Sequence, residues 1–260
     1  MRRLIICLLL AGCTTIAPLP TVSSIEMAQT AEFLTQNAPP PGFQGSISYP
    51  RIDDKLSDLP GWHYHMLLAF DGYFAGTQNP AKGQIEADVF GHEPVGERRV
   101  VLKASGAAFG LSQDRNAEGV RIINDYYLVD SNQVCTKIAE PGKAPQVADL
   151  AAGSLIGGIK KAVPMSVRRK ENDVDIWEYT FSPNDVVPPV LQAGSNGSLT
   201  VVAGDLWIAP TYKAVWRYTV TFNVENIMLR GDQALTGQVR ASYQLIEAGQ
   251  DHDIPIPFGC

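Results

Sequence analysis

Few residues in this 260-residue chain are equipped for chemistry. His63 and His65 stand at i and i+2. On a strand that spacing puts both imidazoles on one face, where two nitrogen donors hold zinc if a third ligand joins them. No third ligand is evident in the sequence, and the surrounding alternation assigns their face to solvent, so they read first as surface histidines. Asp251-His252-Asp253 pairs acid with base but has no nucleophile beside it, and it reads as a polar terminal loop. The Gly-x-Ser-x-Gly elbow, the Walker loop and Gly-x-Gly-x-x-Gly are all missing. Gly194-Ser195-Asn196-Gly197-Ser198 reads as a turn, and Cys135 lies in a strand-like stretch, Asn132 to Ile138, without an activating histidine. No catalytic residue, metal ligand or cofactor site emerges. The expectation is a protein that is not an enzyme, with a metal-dependent enzyme built on His63 and His65 as the last-ranked rival.

The elements around these residues are mostly strands. Trp62, Tyr64, Met66, Leu68 and Phe70 alternate with His63, His65, Leu67, Ala69 and Asp71, which predicts a strand with one buried face. The same period returns at Ile85, Ala87 and Val89, at Val100, Leu102 and Ala104, from Ala214 to Val224, and in Leu235, Val239, Ala241, Tyr243 and Leu245. One-sided strands joined by short Gly, Asn and Asp turns predict an antiparallel sheet. Strands of ten residues or more favour strong curvature, an open half-barrel. Three helical stretches are expected to cover it: about Ser24 to Asn37, Gln146 to Val163, and Ser182 to Gln192, the last opened by Ser-Pro-Asn-Asp and interrupted by Pro188-Pro189. Gly153, Gly157 and Gly158 each cost the middle helix about 1 kcal/mol relative to Ala, so it packs closely or moves. The expected fold is α+β, mainly β: a long curved antiparallel sheet covered by a few short helices.

The chain opens Met1-Arg2-Arg3, continues through an apolar run from Leu4 to Ala11 and reaches Gly12-Cys13. Positive charge, a short apolar core and small residues form the pattern of a secretory signal. The run falls well short of the about 20 apolar residues a membrane-spanning helix needs. Leu10-Ala11-Gly12-Cys13 resembles the lipobox of bacterial lipoproteins, which implies cleavage before Cys13 and lipid on its sulfur. The expected organisation is a signal over 1–12, a lipidated tether over 13–23 and a single half-barrel domain with a helical lid over 24–260. The implied location is extracytoplasmic, anchored by lipid to the cell membrane or outer membrane. Of four cysteines, Cys7 leaves with the signal and Cys13 carries lipid. Cys135 and Cys260 remain, either as a disulfide, which an oxidising compartment favours, or as two free thiols. Hydrophobic residues at 45% supply a sizeable core, and a net charge of −6 without a long basic tract argues against a nucleic-acid partner.

A curved sheet under loosely built helices leaves an apolar space, and such spaces take apolar ligands. The order of parts resembles the LolA/LolB carriers and the related LppX/LprG lipoproteins: a lipobox, a helix, a meander of long strands and helices inserted as a lid. The stretch from Gly204-Asp205-Leu206-Trp207-Ile208 through Tyr212 to Trp216-Arg217 resembles the family's strand–turn–strand, and the close Ile254-Pro255-Ile256-Pro257-Phe258-Gly259-Cys260 resembles endings of the LppX type. The resemblance implies a carrier that shields the acyl chains of a lipid, glycolipid or acylated protein, without catalytic residues. On this scaffold the expected cavity residues are Met66, Phe70, Trp216, Tyr218 and Phe222 from the sheet, with Leu150, Leu155 and Ile159 from the lid. Lys160, Lys161, Arg168, Arg169 and Lys170 either meet anionic headgroups or form a solvated edge. The expected partners are the membrane, through the anchor, and a lipid-like ligand; an envelope protein is the alternative, with the chain acting as a protein-binding regulator.

Overall fold

Between Trp62 and Phe70 every even-numbered side chain is buried and every odd one is at least partly open, so the binary pattern becomes the two faces of a strand. In a computed structural model of the chain, residues 37–138, 143–229 and 233–260 are described, with Glu32, which is helical. The expected signal, Cys13, the tether and most of the predicted first helix lie outside the described residues. No helix among those described is long and apolar enough to cross a membrane.

Residues 37–260 form one unit. It begins with β1 (Ile47–Tyr49), then runs through a meander of β2 (Gly61–Phe74), β3 (Pro80–His92), β4 (Glu97–Ser105), β5 (Arg115–Ile122), β6 (Asp125–Val129) and β7 (Cys135–Ile138). Two short helices follow, α1 (Lys143–Ala148) and α2 (Ala152–Ile156). The second half comprises β8 (Gly158–Glu171), β9 (Val174–Thr180), β10 (Val186–Val187), β11 (Gln192–Ala209), β12 (Ala214–Met228) and β13 (Leu235–Ala248). Together they make a 13-stranded sheet in the order β1-β8-β9-β11-β12-β13-β2-β3-β4-β5-β6-β7, with β10 paired to β8. All the pairings are antiparallel, and the sheet is open rather than closed into a barrel. The two halves meet where β13 pairs with β2 along nearly their whole lengths, from Leu235 opposite Phe74 to Ala248 opposite Trp62. The mainly-β, open antiparallel architecture is therefore the expected one.

The apolar faces of both halves share one core. Its cover includes the stretch after β1, which buries Ile52 and Leu56, and the two helices. The first helix packs on β4, β5 and β6, and the second on β2 and β13. The first comes so close that a Cβ on Gly119 of β5 would stand 2.5 Å from the backbone nitrogen of Ala148. Only a residue without a side chain fits there.

Two of the expected helices are corrected. The stretch Gln146 to Val163 is two short helices and the start of a strand, because Gly157 takes φ +79° and turns the chain. From Gly158 onward the chain is β8, so Ile159 belongs to the sheet and not to a lid. Ser182 to Gln192 holds a single 3-10 turn, Pro183–Asp185, capped by the Ser182 side chain. Val186 and Val187 then pair with β8, and Pro188-Pro189 lack the N–H groups a helix would need. The strand–turn–strand around Gly204 to Arg217 is present as β11, a turn over Pro210–Lys213, and β12.

The last twelve residues, 249–260, form an irregular strap over the polar face. Phe90, Arg99, Val120 and Tyr127 are aligned across β3 to β6 on that face. Ile254 is buried on Val120 and Tyr127, and His252 meets the Phe90 ring edge-on at 6.1 Å. Beyond them Cys260 pairs with Cys135 at disulfide distance, with Cα atoms 5.3 Å apart.

Candidate functional site

One row crosses the apolar face beneath the cover. Tyr179 of β9 faces Leu206 of β11, Leu206 faces Tyr218 of β12, Tyr218 faces Tyr243 of β13, and Tyr243 faces Met66 of β2. Tyr64 lies diagonally beside Tyr243, with ring centroids 5.0 Å apart. Burial pushes the phenols of Tyr64, Tyr179, Tyr218 and Tyr243 above their ordinary range, because desolvation penalises phenolate. Tyr49 is pushed up to about 12 by burial, with Asp54 adding to it. All five stay protonated at physiological pH.

Their hydroxyls are used differently. Tyr49 donates to Lys213 O at 2.7 Å and Tyr179 to Phe43 O at 2.6 Å. The Tyr64 hydroxyl accepts from Ala152 N at 3.1 Å, the first residue of α2, and from Arg98 Nη2 at 3.2 Å. Among the described residues, Tyr218 and Tyr243 find no hydrogen-bond partner.

Polar fasteners hold the cover. Arg98 donates to Leu150 O at 2.6 Å and lies 5.2 Å over the Trp62 ring, while its Nε is buried without a partner among the described residues. Asp53 accepts from Gly153 N at 2.9 Å, and Ile52 N donates to Gly157 O at 3.0 Å. A pocket of about 210 Å³ opens at this edge, walled by Asp53, Trp62, Glu93, Arg98 and Ala151.

The expected cavity residues come together in the one core. Met66, Tyr218 and Phe222 have no accessible surface, and Phe70, Trp216, Leu155 and Ile159 are buried with them. Leu150 is half-buried and packs against the same core. The interior at these residues is close-packed, and a fully inaccessible side chain borders no water-sized space. An open groove of about 790 Å³ lies elsewhere, lined mainly by the polar-face residues Asp71, Gln84, Thr219, Thr221, Gln238 and Arg240, with Phe70 at its wall. Of the basic group on β8, Arg168 is bound bidentately by Asp175, Lys170 pairs with Asp173 at 3.0 Å, and Arg169 stacks over Trp207 at 4.5 Å.

His63 and His65 share one acceptor. His63 Nε2 and His65 Nδ1 each lie 3.3 Å from Asp88 Oδ1, and His65 Nε2 lies 3.7 Å from Glu86. His63 is not a plain surface residue, since it stacks on Phe90 at 4.0 Å. Burial holds it below its ordinary pKa, against the pull of Asp88 and Glu247. Among the described residues no group of three or more His, Cys, Asp or Glu is placed to hold a metal ion. Tyr64 and Tyr243 are visible in the sequence as members of apolar stripes. What their hydroxyls meet depends on register across β2, β12 and β13, and Arg98 and Asp53 carry no local signal at all.

No family profile matches this chain, and no curated protein matches it. Among solved structures it is similar to a DUF1329 family protein from Desulfovibrio piger, at 7% identity over 84% of this chain and 92% of that one, with a TM-score of 0.21. At that level nothing about activity passes from one chain to the other.

Proposed function

We propose that this chain is a lipid-anchored extracytoplasmic protein that binds or transfers an acyl-bearing ligand without catalysis, between the apolar face of the sheet and its cover. One observation carries the reading. The aromatic-rich inner face of a very long open sheet is covered in part, among the described residues, by helices of only six and five residues and the loop that buries Ile52 and Leu56. A roof held by a few polar fasteners is the part of the core that costs least to lift. Each acyl CH₂ that replaces it gains about 0.8 kcal/mol. The finer placement, among carriers that resemble LolA/LolB and LppX/LprG, belongs to this proposal, as do the anchor on Cys13 and the location.

The test is to produce the chain from residue 24 to 260 without its anchor in several bacterial hosts, extract it with organic solvent and identify the lipid by mass spectrometry. Co-purified acyl lipid at a fixed stoichiometry is the expected result. Protein that emerges free of lipid from every host, and takes none up from vesicles, overturns the reading.

A further inference from the structure

Two phenols stand side by side in this core, bonded to none of the described residues. Tyr218 and Tyr243 are direct cross-strand partners on β12 and β13, and 0% and 1% of their surfaces are accessible. Neither Oη meets a donor or an acceptor among the described residues. The neighbouring phenols Tyr49, Tyr64 and Tyr179 are all bonded, so the region is not simply starved of partners. A buried hydroxyl left unsatisfied is an expensive group to keep, and phenylalanine would fill nearly the same volume without it. In the closed protein these two hydroxyls only destabilise.

Their surroundings define what they would bond. Both phenols are held protonated by burial, so each offers a hydrogen. Among the described residues, the groups that act electrostatically on Tyr243 are Tyr64 and Asp53, neither of them a cation, and on Tyr218 burial acts alone. Arg98 bonds Tyr64 and neither of these two phenols, so an anionic headgroup between them would lose its hydration without a counter-charge in direct contact. An uncharged carbonyl oxygen has two lone pairs and no such penalty. Directly paired residues of an antiparallel ladder have Cα atoms about 4.5–5.5 Å apart, so two phenols projecting from one face can converge on a single oxygen. Their cross-strand neighbours Met66 and Leu206, with the Phe181 ring 6.4 Å from that of Tyr218, suit the hydrocarbon on either side of an ester. Tyr64, against Tyr243, is one of the residues that fasten α2, so the two phenols lie beside a fastener of the cover.

We infer that Tyr218 and Tyr243 are the polar end of the ligand site and jointly donate hydrogen bonds to the neutral carbonyl oxygen of an acyl ester. This rests on the acyl-binding reading above. The experiment uses the full-length chain with Cys13→Ala to prevent acylation. A bound anilinonaphthalene dye is displaced by methyl laurate, and separately by an alkane of equal chain length. Tyr218→Phe with Tyr243→Phe is expected to weaken the ester by about tenfold, the equivalent of about 1.4 kcal/mol, and to leave the alkane unchanged. The ester carbonyl infrared band of the bound probe should sit at lower frequency in the unsubstituted protein than in the double variant. The double variant should melt no lower, since it loses only unbonded hydroxyls. If it binds the ester as tightly as the unsubstituted protein, or the carbonyl band does not move, this inference fails and the acyl-binding reading stands. If neither probe displaces dye from the unsubstituted protein, the acyl-binding reading fails first and takes this inference with it.

Discussion

Cys135 on β7 and Cys260 at the chain end are 125 residues apart in sequence and hold their Cα atoms 5.3 Å apart. The pair closes the strap 249–260 over the polar face, beyond the point where Ile254 is buried on Val120 and Tyr127. The strap has no regular backbone pairing of its own; the bridge, Ile254 and the His252–Phe90 contact seat it beyond Gly249, whose N–H donates to Gly61 O at 2.9 Å.

Closing so long a loop restricts the unfolded chain by up to about 5 kcal/mol in the entropic account, and measured losses on removing such bridges run roughly 2–5 kcal/mol. Cys135→Ser with Cys260→Ser is therefore expected to lower the denaturation free energy by that amount. Amide exchange should rise first over 249–260, while β2, β12 and β13 keep their protection. Equal unfolding midpoints with and without reductant would contradict this.

The sheet was legible because its signal is local. Alternation at Trp62 to Phe70, Ala214 to Val224 and Leu235 to Leu245 needs only the strand itself, and those side chains are the buried ones. β8 was not legible, because Lys160, Lys161, Arg168 and Arg169 break its alternation and the apolar residues before it, at 147, 150, 151 and 155, fall at helical spacing. Gly157 decided between the two, and a glycine inside a helical pattern is an ambiguous signal. The site was less legible still. Tyr218 and Tyr243 are 25 positions apart, and only the register of β12 on β13 makes them neighbours.

Gly157 itself gives a second prediction. Its backbone lies at φ +79° and ψ −141°, and a Cβ there would stand 2.1 Å from Val187 O. Gly157→Ala combines a backbone conformation reserved for glycine with a clash against backbone that cannot swing away. The expected loss is roughly 3 kcal/mol or more. A stability loss of less than about 1 kcal/mol in chemical denaturation would show that the turn between α2 and β8 does not depend on glycine at 157.

His63 predicts a pH dependence. Burial holds its pKa below the ordinary 6.5, with Asp88 and Glu247 opposing and His252 assisting. Between the depressed value and 6.5 the unfolded chain binds the proton and the folded chain does not. Stability from this group is thus present above 6.5 and is lost as pH falls through that window. His63→Gln should flatten that part of the curve of stability against pH, measured by urea denaturation from about pH 7.5 to about pH 5. If the variant keeps the full slope, the dependence comes from other groups.

Tyr64 joins the sheet to its cover, and replacing it separates fastening from binding. Its hydroxyl accepts from Ala152 N and Arg98 Nη2, and Arg98 Nε is already buried without a partner among the described residues. Tyr64→Phe therefore orphans the first amide of α2 and leaves the guanidinium bonded at Leu150 O alone among its described contacts. Stranding buried donors costs about 1–3 kcal/mol, and the loss falls on the cover rather than on the β2–β13 seam. Amide exchange over 150–157 should speed up roughly five- to hundredfold with little change along β12 and β13. Dye should also enter faster if the cover is the gate. Tyr243→Phe is the matched control, since its ring packs 5.0 Å from that of Tyr64 while its hydroxyl holds nothing in the closed state. Equal exchange over 150–157 in both variants would show that the Tyr64 hydroxyl does not hold the cover down.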